Sequence, residues 1–172
     1  MLKHIQTSDS VLDLGCNTGD ISRFVAQKAQ RVVGIDYNSQ AIEIAIKRST
    51  QQNLEFVSRE AFDYLQENTA QFDVLILSHI LEHIDDPSAF LMRFKGFFKN
   101  IYIEVPDFDR TYLNHYRLDQ KLSLNYTDLD HVSEFDRDEL RVLLHECGIE
   151  ILEEEYRYGV QKLWCKVSGT RS

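Results

Sequence analysis

The first residues whose types and spacing suggest chemistry lie in Val11-Leu-Asp13-Leu-Gly15-Cys16-Asn17-Thr18-Gly19-Asp20, where a short apolar run enters a glycine turn that opens a helix. Glycines at 15 and 19 let the backbone turn sharply and approach a ligand with no Cβ in the way, and the following helix start presents free amides. Asp13 adds a carboxylate near the place for a cationic ligand group, and Cys16 and Asn17 lie within the turn itself. Asp36 stands 21 residues beyond Gly15, at the end of Val32-Val-Gly-Ile-Asp36-Tyr37-Asn38, where a carboxylate accepts hydrogen bonds from both ribose hydroxyls. After a third apolar run, Glu60 and Ala61 offer an acidic side chain and a backbone amide beside the expected base, with Tyr37 and Phe62 as apolar flanks. These residues point to a nucleoside-bearing ligand. A pyrophosphate dinucleotide is disfavoured, because its GxGxxG turn needs a middle glycine and Asn17 occupies that place.

A second group is His79-Ile-Leu-Glu82-His83, which matches the HxxEH pattern of inverted zinc peptidases. Those ligands must share one helical face, yet here the motif follows directly on a buried apolar run, so a peptidase is not expected. Cys16, Cys147 and Cys165 are an odd number without CxxC spacing, which indicates neither a disulfide framework nor a zinc ribbon and suits a reducing cytoplasm. Cys16 reads as a small loop filler. His131 stands shortly before a helix start, where packing and proton transfer are both open to it.

The elements that must position these groups follow from hydrophobic periodicity. Val11 to Leu14, Arg31 to Ile35, Leu54 to Val57, Val74 to Leu77 and Ile101 to Val105 read as five buried strands, apolar throughout because both faces are covered. Between them, Ile21, Phe24 and Val25, and then Ile42, Ala45 and Ile46, recur at helical spacing. Asn38 or Ser39, and Asp86 followed by Pro87, read as helix starts, and Asp136 with Glu139 approaches a capping box before a helix that Gly148 ends. Ile149 to Tyr158 and Val160 to Val167, joined only at Gly159, suit an antiparallel hairpin. The expected organisation is a single domain over 1–172 with a long insert at about 106–132, in which Tyr112, Tyr116 and Tyr126 pack or line a pocket.

Composition bounds the function. The chain has 172 residues, 28 acidic against 19 basic, and a formal charge of -9, with no Lys/Arg stripe to neutralise a run of phosphates. Nucleic acid is therefore not an expected partner. No stretch approaches the length needed to cross a bilayer, and the polar N-terminus lacks a signal core, so a cytoplasmic location without membrane insertion is expected.

Taken together, the segments at Asp13 to Gly19, Gly34 to Asn38, Phe72 to Pro87, Glu104 to Asp107 and His131 to Gly148 make the chain resemble the class I S-adenosylmethionine (SAM)-dependent methyltransferases, especially the group that includes ubiquinone-pathway O-methyltransferases. The resemblance implies an α/β fold: a Rossmann-like, doubly wound, mostly parallel seven-stranded sheet of order 3-2-1-4-5-7-6 with strand 7 antiparallel. It implies SAM as cofactor, with Asp13, Gly15 and Gly19 around its methionine part, Asp36 at the ribose, Glu60 and Ala61 at the adenine, and Ser78 on its inner face; Cys16 and Asn17 of the turn and Tyr37 beside the base complete the expected cofactor-binding set. It implies methyl transfer to a small metabolite or glycan acceptor, with oxygen favoured, and places His131 on the acceptor side as first candidate for the base, with His79 and His83 as the others. In the ubiquinone-pathway enzymes an acidic residue stands where His79 is, and with the equivalents of Glu82 and His83 it resembles a divalent-metal site. Because His79 breaks that pattern, no metal is expected. Family members usually carry N-terminal helices over the substrate, so a more open site is expected, covered by the insert, a homodimer mate or another partner subunit. A SAM-binding domain that acts with a partner without catalysis is the alternative.

Overall fold

A computed structural model of the chain describes residues 1–68, 72–108, 116–117, 119–123 and 130–168. Seven strands form one sheet: β1 (Ser10–Leu14), β2 (Arg31–Asp36), β3 (Leu54–Ser58), β4 (Val74–Ser78), β5 (Asn100–Pro106), β6 (Ile149–Arg157) and β7 (Val160–Val167). Their order is β3-β2-β1-β4-β5-β7-β6. β1 to β5 pair in parallel, whereas β7 runs antiparallel to β5 and to β6. Helices α1 (Asp20–Val25), α2 (Ser39–Arg48), α3 (Ala61–Asn68) and α4 (Pro87–Phe94) alternate with the strands, and α5 (Arg137–Glu146) precedes the terminal hairpin. This is the sheet that the resemblance implied.

Consecutive strand residues bury into different cores, which is why the runs read as continuously apolar. Leu12, Val33 and Leu75 join one cluster with Leu65 of α3, Leu91 and Phe94 of α4, and Leu140 and Leu144 of α5. Their neighbours Val11, Val32 and Val74 face the opposite side, with Val25 of α1 and Ile5 of the N-terminal segment. Helices on both faces require strands without a polar side, and period-2 alternation is lost.

The caps are set locally. Asn38 accepts the amides of Gln40 and Ala41, and Asp86 accepts that of Ala89 with Pro87 in the first turn. Asp136 and Glu139 form a complete capping box for α5. The expected α1 stripe is only partly realised: Val25 is buried, but Phe24 is 47% exposed. Ser22 takes the inward position instead, because its hydroxyl donates to the buried carboxyl of Asp13. The inverted-peptidase motif does not form a helix either. Only Leu81–His83 makes a single 3-10 turn, and His79 precedes it with φ of 56°.

Of the expected insert, Tyr116 is described and exposed, while Tyr112 and Tyr126 lie outside the described residues. Among the described residues no helix is long and apolar enough to cross a membrane.

Candidate cofactor cleft and the adjacent histidine cluster

The glycine turn is fastened to the end of β2. The amides of Gly15 and Cys16 both donate to the Ile35 carbonyl, at 2.8 and 3.1 Å. The backbone is left-handed at Gly15 (φ 70°), Asn17 (φ 46°) and Gly19 (φ 77°). Asparagine enters that region more readily than most residues, which lets Asn17 replace a glycine there. Gly19 serves packing rather than ligand approach: a Cβ on it would lie 2.6 Å from Phe56 Cε1 and 3.2 Å from Ala45 Cβ.

Asp36 is the pivot of the turn. Its Oδ2 accepts the amide of Asn17 at 2.9 Å and its Oδ1 accepts that of Asn38 at 2.8 Å, so the carboxylate is oriented before any ligand arrives. A cleft of about 600 Å³ opens here, at the carboxyl ends of the central strands. That size falls within the usual range for small-molecule sites. Gly15, Asn17, Asp36, Tyr37, Glu60 and Ala61 line it, six of the residues anticipated from the sequence. Glu60 has a second role, since its Oε2 accepts the amide of Asp63 at 2.8 Å and caps α3. Small Ala41 and Ala61 leave room between apolar Ile80 and Phe94. Carboxylates of Asp36, Glu60 and Asp130 border the cleft, while the one guanidinium there among the described residues, Arg59, is paired with Glu67 at 2.8 Å. The surroundings therefore favour a ligand with positive charge. With glycine approach, amide-held carboxylate and small alanines together, the cleft fits a nucleoside that carries a cationic tail.

The other four anticipated residues do not line the cleft. Asp13 lies beneath the turn, 2% exposed and bonded by Ser22, and burial pushes its carboxyl up to about 7. Cys16 is buried beside it, and burial raises its thiol far above the range of a useful nucleophile. Gly19 is turned to Phe56, and Ser78 ends β4 in register with Glu104. Phe62, expected to flank the base, instead packs edge-on to Phe94 and Phe97 under the guanidinium of Arg93.

The end of β4 continues into a cluster of histidines and carboxylates. His79 Nδ1 lies 2.9 Å from Glu82 Oε1, and its Nε2 lies 3.7 Å from Glu104 Oε1. The flanking carboxylates of Glu104 and Glu82 raise the imidazole to about 9, so it is a cation near neutral pH and a poor proton acceptor. Glu104 is itself bonded by the Tyr102 hydroxyl and has Lys162 Nζ 3.6 Å away. The backbone carbonyl of Glu82 accepts the amides of Val132 and Ser133, at 2.9 and 3.2 Å, which brings His131 beside it. The rings of His83 and His131 meet edge-on with centroids 4.8 Å apart. His83 lines the cleft, whereas the His131 side chain is 6% exposed.

In place of the acidic residue of the triad that the resemblance implied, His79 turns both of its nitrogens to carboxylates, Nδ1 to Glu82 and Nε2 to Glu104. The sequence reading missed Asp130, whose carbonyl lies 3.2 Å from His83 Nδ1, and the part played by Glu104 against His79. The spacing of His131 and Glu134, whose Oε1 is 3.7 Å from His131 Nδ1, was the available signal for a fixed imidazole.

A family model described as a methyltransferase domain matches residues 1–154. The chain belongs to the class I SAM-dependent methyltransferases. Among curated relatives, the ubiquinone biosynthesis O-methyltransferase of Pseudoalteromonas translucida (strain TAC 125) is 34% identical over 82 residues, covering 46% of this chain and 35% of its own length. The enzyme of the same name from Actinobacillus pleuropneumoniae serotype 5b (strain L20) is 33% identical over 95 residues, covering 52% of this chain and 41% of its own length. The chain thus spans well under half of these relatives. Among solved structures, magnesium protoporphyrin IX methyltransferase from Synechocystis PCC 6803 with bound SAH superposes with a TM-score of 0.71 at 16% identity, covering 94% of this chain and 75% of that one. A putative methyltransferase in complex with the Haloferax volcanii Trm112 activator gives a TM-score of 0.73 at 15% identity, covering 98% and 87%. These likenesses are to the methyltransferase fold. In such a sheet, ligands sit at the carboxyl ends of the strands beside the point where strand order reverses, between β1 and β4, where this chain carries its cleft.

Proposed function

We propose that this methyltransferase domain binds SAM in the cleft and directs methyl transfer to an oxygen of a small-molecule or glycan acceptor. The observation that carries the reading is Asp36, a carboxylate at the end of β2 that two backbone amides hold in place on the cleft wall. SAM supplies an electrophilic methyl on a sulfonium, so the chain's task is chiefly positioning. Gly15 and Asn17 bring backbone to the ligand, Asp36 holds the ribose, and Tyr37 covers the nucleoside from the solvent side. His83, Ile84 and Phe90 line the cleft beyond Ile80 and form the acceptor side.

A hydroxyl acceptor must lose a proton. His83 and His131 are the groups for this, since His79 is held as a cation. The name shared by the curated relatives, ubiquinone biosynthesis O-methyltransferase, supports oxygen as the methylated atom.

Titration calorimetry of the whole chain with S-adenosylhomocysteine and with NAD tests the cofactor assignment, and a small-molecule acceptor screen with methyl-labelled SAM tests the transfer. Binding of NAD instead of S-adenosylhomocysteine would overturn the cofactor assignment. Binding without any labelled product would favour the non-catalytic alternative.

A further inference from the structure

We propose that the acceptor carries a protonated amine on a largely apolar body, and that Asp130 at the rim of the cleft selects it over phosphorylated or carboxylated compounds. This names the acceptor class of the methyl-transfer reading and rests on that reading. Of the three carboxylates that border the cleft, two are engaged by the chain itself: Asp36 accepts the amides of Asn17 and Asn38, and Glu60 accepts that of Asp63. Asp130 differs. Its side chain is 74% exposed, and the one basic group near it, His83 Nδ1 at 3.6 Å, lies closer to the Asp130 carbonyl, at 3.2 Å. Among the described residues no lysine or arginine pairs with it, so its charge is left for a ligand.

The position of Asp130 assigns it to the acceptor. Glu60, Asp36 and Gly15 follow the ends of β3, β2 and β1 and make the cofactor end of the cleft, whereas Ile80, His83 and Ile84 follow β4. His83 ties Asp130 to this second end. The wall there is apolar: Ile80, Ile84 and the ring of Phe90, which tilts onto Phe94 with centroids 4.5 Å apart. Such a wall takes an apolar or aromatic body, and aromatic faces also attract an ammonium.

The same end rejects anions. A phosphate or carboxylate on the acceptor needs a cationic fork, but Arg59 lies at the β3 end of the cleft and is paired with Glu67. An anionic acceptor would instead meet Asp130, and like charges side by side discriminate as strongly as a good contact does. The pairing also bears on the methylated atom. An ammonium held protonated by a carboxylate has no lone pair, so it is not the nucleophile. The methyl passes to a hydroxyl oxygen: the O–C bond forms as the S–C bond breaks with its electrons left on sulfur, and the hydroxyl proton goes to a base.

The test uses three phenols that differ only in end group, tyramine, 4-ethylphenol and 3-(4-hydroxyphenyl)propionate, titrated into the full chain with and without saturating S-adenosylhomocysteine. Tyramine is expected to bind about tenfold or more tighter than the acid, with 4-ethylphenol between them, because one end group pairs with Asp130 and the other is repelled by it. Asp130→Asn should shrink the gap to a few-fold and Asp130→Lys should invert it. Both variants should bind S-adenosylhomocysteine within a few-fold of native, and the exposed side chain makes misfolding no obstacle. Equal affinities, a tighter acid, no binding of any of the three, or a gap that survives Asp130→Asn would each overturn the proposal. So would a loss of S-adenosylhomocysteine binding in Asp130→Asn, which would give Asp130 to the cofactor. Native chain that fails to bind S-adenosylhomocysteine but still ranks the phenols by charge would sink the cofactor reading alone.

Discussion

Asp36 Oδ2 accepts the backbone amide of Asn17 at 2.9 Å, so the carboxylate at the end of β2 and the left-handed turn after β1 are one unit. Removing the side chain should therefore cost twice, through the lost ribose contacts and through a looser turn. Asp36→Ala is expected to weaken S-adenosylhomocysteine by about 1.5 to 3 kcal/mol, the scale of hydrogen bonds to a charged group. Calorimetry reads this directly, and unchanged affinity would remove Asp36 from the ribose role.

Gly19→Val should act on stability first. Its φ of 77° strains any β-branched residue, and the new side chain would collide with the Phe56 ring and Ala45. A loss of about 2 kcal/mol or more in urea unfolding is expected, at the level of strained or overpacked sites. Loss of cofactor binding with undiminished stability would show instead that the glycine faces the ligand, as its place in the turn suggested.

Much of this architecture was legible because it is written in local signals. Asn38, Asp86 and Asp136 cap helices through bonds to residues two or three positions away, and the five parallel strands announce themselves as apolar runs. The residues at the cleft were read as far as each one's backbone position decides its role, as for Asp36 at a strand end. What escaped depends on pairs distant in sequence. Whether His79 is a base or a fixed cation is decided by Glu104, and whether Gly19 meets ligand or core is decided by Phe56. Phe62 looked like a flank for the base because its neighbour Ala61 is at the cleft, but the next residue along a helix turns away, here to Phe94.

His131→Ala should reduce turnover on the order of 100-fold to 10,000-fold once an acceptor is in hand, the scale for loss of a general base. Because His131 does not line the cofactor cleft, S-adenosylhomocysteine affinity should stay within a few-fold of native. Unaltered turnover would reduce His131 to a packing residue.

Asp13 should make the fold less stable as the solution leaves mild acid. Its carboxyl is buried under the glycine turn, and desolvation outweighs the Ser22 hydrogen bond to bring it up to about 7, with the charge of Asp36 adding to the rise. In the unfolded chain an aspartate titrates near pH ~4. Between these two values the folded chain keeps a proton that the unfolded chain releases, so unfolding becomes easier as pH rises. The stabilisation is complete below about pH 4, falls through the interval to about pH 7, and is flat above it. An asparagine side chain in its place has nothing to titrate and can still accept from Ser22. The Asp13→Asn variant should therefore gain on the native chain across that window, by an amount bounded by about 1.4 kcal/mol per pH unit. Urea unfolding of both chains at several pH values between mild acid and neutrality measures the difference, in which the other titrating groups cancel. Parallel stability profiles for the two chains would mean that Asp13 keeps an ordinary carboxyl despite its burial.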